Sequence, residues 1–150
     1  MRVLFVCLGN ICRSPLAEAA FRHETTLAGL EVDVDSAGTG GWHVGNPPDA
    51  RAQAMALAKG IDISDLRARQ VSTADFDAFS HIFAMDHQNM RDLRAIAPSG
   101  GRAELQLLLD LVPGREGEAV ADPYYGGEEG FAQTWEDVSA AARVLARRLA

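Results

Sequence analysis

Residues 3–15 read VLFVCLGNICRSP, and this stretch decides how the rest of the chain is interpreted. The apolar run over residues 3–8 is typical of a buried strand, and Gly9 and Asn10 then favour a tight turn of the backbone. Ser14 and Pro15 are residue types that favour the N-cap and the first position of a helix. The stretch therefore predicts a strand, a short loop and a helix N-terminus in immediate succession.

A loop of this kind is suited to binding a phosphate dianion. Several backbone N–H groups point at one place, and the helix dipole adds partial positive charge. Arg13 can donate two hydrogen bonds to phosphate oxygens, and the same positive groups favour the thiolate form of Cys7, which is a nucleophile. Taken by itself, Cys7 could equally be a small apolar residue at the end of a buried strand. The strand, turn, arginine and helix start in one register favour a site that binds a phosphate and attacks it.

Length and charge narrow the classes of function. A chain of 150 residues predicts one domain, residues 1–150, with a substantial hydrophobic core. A net charge of −7 with scattered basic residues argues against a nucleic-acid partner. No apolar run is long enough for a signal-peptide core or a membrane span, so we expect no membrane partner and a cytoplasmic location. Leaderless export stays open as an alternative.

The cysteines and histidines argue against a bound metal or a disulfide framework. The chain has two cysteines, which do not form the pattern of a secreted disulfide-rich domain. Its four histidines have no metal-ligand spacing with one another or with the cysteines. We therefore expect no metal and no cofactor.

The remaining chain alternates between strand and helix patterns. Strands are predicted over residues 3–8, 31–36, 81–85 and 104–109. Helices are predicted over residues 15–28, 48–59, 73–79, 87–96 and 128–150, with Gly60 ending the second. This order indicates an α/β fold, in which a four-stranded parallel sheet is flanked by helices on both faces in a Rossmann-like arrangement. Ligands of such sheets bind at the carboxyl ends of the strands, where Cys7 would lie.

A second reactive group is predicted in the sequence DPYYG, residues 122–126, before the last helix. Pro123 biases Asp122 towards an extended backbone, and neighbouring tyrosines would partly bury its carboxyl group. A buried carboxyl beside a phosphate tends to stay protonated, as a general acid requires. The alternative is a surface turn in which Asp122 only caps the following residues.

Five motifs together resemble the low molecular weight protein tyrosine phosphatase family over nearly the whole chain. They are VCLGNICRSPLAE, DSAGTGGWHVGNPPDARA, ARQV, MDHQN and DPYYG. The resemblance implies hydrolysis of phosphotyrosine by a phosphotyrosine phosphatase I-like fold. Cys7 would form a phosphocysteine intermediate, Arg13 would bind the phosphoryl oxygens, and Asp122 would protonate the leaving group and then activate water.

The resemblance also implies supporting residues. Loop-shaping and phosphate-binding positions would be Leu8, Gly9, Asn10, Ile11, Cys12, Ser14 and Ser36. The substrate ring would lie in a slot formed by Leu8, Trp42, Tyr124 and Tyr125. Asp86 and Asn89 would support these groups from behind, or else only begin a helix. Partners would be phosphotyrosine-containing proteins and a cognate tyrosine kinase, with the enzyme acting as a monomer or weak dimer.

Related functions on the same fold stay open as alternatives. Arsenate reductases with a similar loop relay oxidation through two further cysteines, which this chain lacks. Protein arginine phosphatases tend to have a threonine where this chain has Ile11, so we rank phosphotyrosine first and phosphoarginine second as the substrate.

A redox-sensing or phosphate-binding module is a third possible function. In it, peroxide would oxidise Cys7, and Cys12 would capture it as a disulfide.

Overall fold

The computed structural model describes residues 1–150 and contains four strands, five α-helices and one 3₁₀ turn. The strands are β1 (Arg2–Cys7), β2 (Asp33–Gly38), β3 (His81–Ala84) and β4 (Glu104–Leu107). The helices are α1 (Arg13–Leu27), α2 (Ala50–Ala58), α3 (Asp75–Ala78), α4 (His87–Ile96) and α5 (Glu128–Leu149), and the 3₁₀ turn is Leu108–Leu111. None of these helices combines the length and apolar character needed to cross a membrane.

All strand pairs are parallel, in the order β2-β1-β3-β4, which confirms the predicted α/β fold with a four-stranded parallel sheet. Alternate residues of β1 enter opposite cores: Phe5 packs with α1, α2 and α5, while Leu4 and Val6 pack with α3 and α4. Helices therefore cover both faces, as predicted. The chain leaves β1 towards β2 and leaves β3 towards β4, so a crevice opens between β1 and β3 at their carboxyl ends.

The start of α1 differs from the prediction. Ser14 is not the N-cap, and Pro15 is not the first helical residue, because the helix begins at Arg13 after Cys12. Cys12 provides no side-chain cap. Pro15 is still tolerated, since N–H groups in the first turn have no partner within the helix. The Ser14 hydroxyl is turned instead towards the loop that precedes the helix.

Several other boundaries were also predicted wrongly, including those of β1 and α3 by one or two residues. Strand β2 begins and ends two residues later than expected, because it pairs with β1 along its whole length, up to Gly38 opposite Cys7. Helix α2 begins at Ala50 rather than residue 48, since the Asp49 side chain accepts a hydrogen bond from the Arg51 N–H and caps it. Strand β4 ends at Leu107, where the 3₁₀ turn takes over. Helix α2 ends at Ala58, one residue before the predicted end, and Gly60 follows the Lys59 C-cap as predicted, with a φ of 82°.

Candidate active site

Cys7 ends strand β1 and begins a loop, residues 7–14, that we call the cysteine loop. Its side chain is buried, and its Sγ lies 3.0 Å from the Ser14 Oγ. The backbone N–H of Asn10 donates to the same sulfur over 3.3 Å. Two polar groups of the loop therefore converge on one sulfur at the carboxyl end of the sheet.

Asn10 holds the shape of the cysteine loop. Its φ of 57° makes it the only residue other than glycine with a positive φ, a conformation that asparagine tolerates better than most residues. Its Nδ2 donates to the Ser14 Oγ at 2.8 Å and to the Ser36 Oγ at 3.0 Å, and its Oδ1 accepts from the Arg69 N–H at 3.0 Å. The structure thus brings the predicted loop-shaping residues Asn10, Ser14 and Ser36 together behind the sulfur.

A buried carboxyl group extends this hydrogen-bond network away from the sulfur. Glu18 accepts from the Ser36 Oγ at 2.8 Å and from the Arg22 Nε at 2.9 Å. Burial raises the pKa of Glu18, and the bonds from Ser36 and Arg22 partly oppose that rise. The sequence analysis did not single out Glu18, although it lies within the motif CRSPLAE, five residues after Arg13.

The end of strand β2 and the two residues that follow it support the loop through their backbone. Thr39 and Gly40 donate their N–H groups to the carbonyls of Cys7 and Leu8, each over 2.9 Å. Gly38 has to be a glycine, because a Cβ atom there would lie 2.7 Å from the Leu8 carbonyl oxygen. Hydrogen bonds to both its side chains and its main chain therefore fix the loop.

Arg13, near the end of the cysteine loop, is buried and is held by partners distant in the sequence. Its Nη1 donates to the Asp86 Oδ2 at 2.6 Å and to the Val120 carbonyl at 2.9 Å, while its Nη2 lies 3.5 Å from the Asp122 Oδ2. Burial by itself would lower the pKa of Arg13, but the charges of Cys7, Asp86 and Asp122 raise it overall. The guanidinium group therefore stays charged.

Asp86 both begins a helix and supports the site, the two roles that the sequence left open. Its Oδ1 accepts the Asn89 N–H at 2.7 Å, and the Asn89 Oδ1 accepts the Asp86 N–H, which forms a capping box at the start of α4. The other oxygen of Asp86 binds Arg13. A helix cap thereby orients the arginine.

Asp122 is less buried than the sequence suggested. Its side chain is 41% exposed, and the neighbouring Tyr125 is itself 95% exposed, so the tyrosines do not bury the carboxyl group. Its Oδ1 accepts the Tyr124 N–H at 3.1 Å, so the surface-turn interpretation also describes part of its local geometry. Its other oxygen nevertheless faces Arg13, which places the carboxyl group beside the cysteine loop.

These groups surround a cavity of about 320 Å³. The residues that line it are Cys7, Leu8, Gly9, Ile11, Cys12, Arg13, Trp42, His43, Asp122, Tyr124 and Tyr125. The predicted reactive and pocket residues are therefore assembled in one place, and Asn10, Ser14 and Ser36 lie behind it. His43 was not predicted. Its ring packs so closely on Gly9 that a Cβ there would approach the His43 Cδ2 to 2.9 Å.

Arg51 contacts the opposite wall of the cavity, residues 122–127, which we call the aspartate loop. Asp49 holds the Arg51 guanidinium through two hydrogen bonds of 3.0 Å, and Arg51 in turn donates to the Gly126 carbonyl over 3.3 Å. The same guanidinium lies 5.5 Å from the centre of the Tyr124 ring. Because the Asp49 N–H also donates to the Ile11 carbonyl at 2.8 Å, this pair connects the two loops.

Cys12 is free and buried, as is Cys7. Burial raises the pKa of Cys12 to about 12, and the negative charges of Asp49, Cys7 and Asp122 contribute to the rise. Cys12 therefore remains a neutral thiol near pH 7, and capture of an oxidised Cys7 stays a prediction. No three His, Cys, Asp or Glu side chains are grouped closely enough to hold a metal ion.

Comparisons with known proteins point to one family. The family model described as "Low molecular weight phosphotyrosine protein phosphatase" matches residues 2–150. A phosphatase of that name from Schizosaccharomyces pombe is 50% identical over 134 residues, covering 87% of this chain and 85% of its own.

Solved structures share the fold over almost the whole chain. The structure of YfkJ from Bacillus subtilis superposes with a TM-score of 0.92 at 42% identity, covering 99% of this chain and 94% of its own. A Drosophila protein described as an arginine phosphatase superposes with a TM-score of 0.93 at 35% identity, covering 99% and 98%.

Proposed function

Because this chain belongs to the low molecular weight phosphotyrosine protein phosphatase family, we propose that it hydrolyses phosphotyrosine in proteins using Cys7, Arg13 and Asp122. One observation carries the assignment of roles: these three side chains line a single cavity although Asp122 lies 109 residues from Arg13 in the sequence. A thiol, a guanidinium and a carboxyl group so arranged can perform a two-step phosphoryl transfer.

In the first step the Cys7 sulfur attacks the phosphorus and an S–P bond forms. The bond from phosphorus to the tyrosine oxygen breaks, and Asp122 gives its proton to the leaving phenolate. In the second step the ionised Asp122 takes a proton from a water molecule, which attacks the phosphorus. The S–P bond breaks, phosphate leaves, and Cys7 and Asp122 return to their initial states.

The hydrogen bonds around Cys7 suit both steps. Asn10 Nδ2 donates to the Ser14 Oγ, and the Ser14 hydroxyl has two acceptors within reach, the Cys7 sulfur at 3.0 Å and the Ala37 carbonyl at 3.4 Å. We assign its hydrogen to the closer sulfur. A donor in that position stabilises sulfur when it carries negative charge, as nucleophile and as leaving group. The same hydrogen bond would stabilise the sulfur when it attacks the phosphorus and again when it leaves the phosphorus.

Arg13 is positioned to take the charge of the phosphoryl group. Asp86 and Val120 bind one edge of its guanidinium and leave the other edge facing the cavity beside Asp122. A planar guanidinium can donate two parallel hydrogen bonds to equatorial oxygens. Its fixed orientation means that little reorganisation is needed during the reaction.

The exposure of Asp122 fits its second role. A carboxyl group that is 41% exposed can receive a water molecule directly, and its 3.5 Å separation from Arg13 keeps it at the phosphoryl position. Both roles require Asp122 to exchange a proton at one place, first with the phenol oxygen and then with water.

The walls of the cavity favour a flat ring as substrate. Leu8, Trp42, Tyr124 and Tyr125 line it together with the apolar Ile11. An apolar residue at position 11 offers no hydrogen bond to a guanidinium, so phosphoarginine is the second candidate; the similar Drosophila arginine phosphatase makes it worth testing.

The test is turnover on three peptides of one sequence that carry phosphotyrosine, phosphoserine or phosphoarginine, with Cys7→Ser as the blank. We expect rapid hydrolysis of phosphotyrosine alone and a loss on the order of 10⁵-fold or more in Cys7→Ser. Cys7→Ser should still bind orthovanadate, since the loop donors and Arg13 remain. Faster turnover of phosphoarginine, or activity that survives in Cys7→Ser, would overturn the proposal.

The same proposal includes finer expectations about the cellular setting. Its partners would be phosphotyrosine-containing proteins and the tyrosine kinase that phosphorylates them. A cytoplasmic location can be tested by cell fractionation. A monomer or weak dimer can be tested by sedimentation at several protein concentrations, in which self-association through the exposed Trp42 and Tyr125 would appear at high concentration.

A further inference from the structure

A second cavity, of about 410 Å³, lies next to the catalytic one and shares Leu8 and Trp42 with it. Val71, Ala95 and Ile96 complete its apolar lining, with the last two contributed by helix α4. We call this cavity the flanking groove. Because the same two side chains form a wall of both cavities, a residue adjacent to a phosphotyrosine that fills the first can reach the second.

The flanking groove is fixed by contacts within the protein. The Trp42 ring lies so close to Gly40 that a Cβ atom there would be 1.9 Å from the Trp42 Cζ3. The Gln70 Nε2 donates to the Thr39 carbonyl at 3.1 Å, and the Val71 N–H donates to the Gly38 carbonyl at 2.8 Å. The groove therefore exists before any substrate binds.

One side chain in this lining carries charge, and it has no ion-pair partner. Asp92 accepts a hydrogen bond of 2.9 Å from the neutral amide of Gln88, and no Lys, Arg or His lies within ion-pair distance of it. A half-exposed carboxylate at the side of an apolar groove attracts a cation that reaches it on an apolar stem.

We propose that the flanking groove binds a lysine or arginine side chain adjacent to the phosphotyrosine in the substrate, an inference that rests on the proposed function. The methylene stem lies against Leu8, Trp42 and Ile96, which are 39%, 73% and 37% exposed and lose this exposure on binding. The cationic end pairs with Asp92. The net charge of −7 of the protein favours the approach of basic substrate segments.

The experiment compares kcat/KM for phosphotyrosine peptides in which each neighbouring position is lysine, norleucine or glutamate. Norleucine keeps the stem and lacks the charge. At the position that reaches the groove, we expect lysine to exceed norleucine by roughly two- to five-fold and glutamate to be the poorest. The preference for lysine should decline at high salt.

Two substitutions in the groove distinguish the contribution of the lysine's charge from that of its methylene stem. Asp92→Asn should abolish the advantage of lysine over norleucine, and Ile96→Ala should weaken both relative to glycine at that position. Asp77→Asn, an exposed acid on helix α3, makes the same change in charge and should leave the preference intact. Turnover of 4-nitrophenyl phosphate, which is too small to reach the groove, should be unchanged in all three variants.

The outcomes distinguish this inference from the proposed function. If no phosphotyrosine peptide is hydrolysed, the proposed function itself fails. If all are hydrolysed with equal kcat/KM, or if norleucine or glutamate is preferred, the groove does not bind a basic side chain. A lysine preference that persists in Asp92→Asn also overturns the inference, because a group other than Asp92 would then bind the lysine's charge.

Discussion

The cysteine loop and the aspartate loop face each other across one cavity, but they are built in opposite ways. In the cysteine loop Cys7, Asn10 and Ser14 are buried and hydrogen-bonded to one another. In the aspartate loop every residue except Pro123 is exposed, and Asp122 is attached through its own turn and a 3.5 Å contact to Arg13. The difference indicates that the first loop is fixed in advance while the second can move.

This difference matches the chemistry of each loop, which is phosphoryl binding in the cysteine loop and proton transfer in the aspartate loop. A phosphoryl group needs donors that are already oriented, because reorganisation during the reaction would raise the barrier. An acid that later activates water has to admit first a phenol oxygen and then a water molecule at one place, which an exposed loop allows. Substitutions in the cysteine loop should therefore slow the hydrolysis of all phosphate esters, whereas substitutions in the aspartate loop should slow it to an extent that depends on the leaving group.

The largest effect is expected for Arg13→Ala, which should lower kcat/KM about 10³-fold or more for every phosphate ester. The change removes the charge that all substrates share and leaves Asp86 without its cation. Arg13→Lys should recover little, since an ammonium cannot donate the paired hydrogen bonds. Steady-state kinetics with phosphotyrosine and 4-nitrophenyl phosphate measure this, with thermal unfolding as the check on folding. Substrate-dependent losses would contradict a role in binding the phosphoryl group.

Asp122→Ala should have the second largest effect, and it should depend on the leaving group. Phosphotyrosine requires a proton on departure, so its turnover should fall about 10²- to 10³-fold. An aryl phosphate whose phenol is strongly acidic departs without that proton and should lose far less in the formation of phosphocysteine. A plot of log kcat/KM against the pKa of the leaving phenol would therefore become steeper in the variant. Equal losses across the series would exclude Asp122 as the acid.

A smaller effect is expected for Arg51→Ala, which removes the side chain that joins the Asp49 turn to the aspartate loop. Loss of the Gly126 hydrogen bond and of the contact with Tyr124 should let the loop move, and phosphotyrosine turnover should fall about ten-fold. Its dependence on the leaving group should resemble that of Asp122→Ala in weaker form. Arg147→Ala, in the last turn of α5, provides a control with the same loss of charge and no expected effect. A loss that is equal for all aryl phosphates would mean that Arg51 supports the fold and not the acid.

The two loops also differ in how much of them the sequence could predict. The hydrogen bonds on the Cys7 sulfur come from Asn10 and Ser14, which are close in sequence, so the motif itself contained them. The bonds of the same loop to Ser36, Arg69 and Asp86 join residues distant in sequence and were not contained in it. The bond from Arg51 to the aspartate loop spans 75 residues, and nothing near Arg51 indicates it. The exposure of Asp122 could not be predicted either, because it depends on where the neighbouring tyrosines point.

Strand and helix order followed from the sequence, whereas some boundaries did not. The alternating pattern in residues 31–36 fits several frames equally well, and pairing with β1 decided where β2 begins and ends. The start of α1 was misjudged because Ser14 has the residue type of an N-cap but is used by Asn10 and Cys7. A local rule failed at the place where the site required the same hydroxyl.

The smallest effect near neutral pH concerns Cys12, whose raised pKa links the cysteine loop to stability in alkali. Its pKa is about 12 in the folded protein and 9.0 for an ordinary thiol, chiefly because of burial. Between these values the unfolded chain releases a proton that the folded protein keeps, so the free energy of unfolding falls as pH rises from about 9 to 12. Below pH 9 both states hold the proton, and Cys12 makes no pH-dependent contribution.

Cys12→Ala should remove that part of the alkaline loss, which urea unfolding at pH 8, 9 and 10 measures in both proteins. The comparison also bears on redox protection. A thiol that stays neutral at pH 7 attacks an oxidised Cys7 slowly, so a Cys7–Cys12 disulfide should form faster after peroxide at pH 9 than at pH 7. If the free energy of unfolding changed with pH identically in the two proteins, Cys12 would ionise as readily in the folded protein as in the unfolded chain. If disulfide formation were independent of pH, ionisation of Cys12 would not limit the capture of oxidised Cys7.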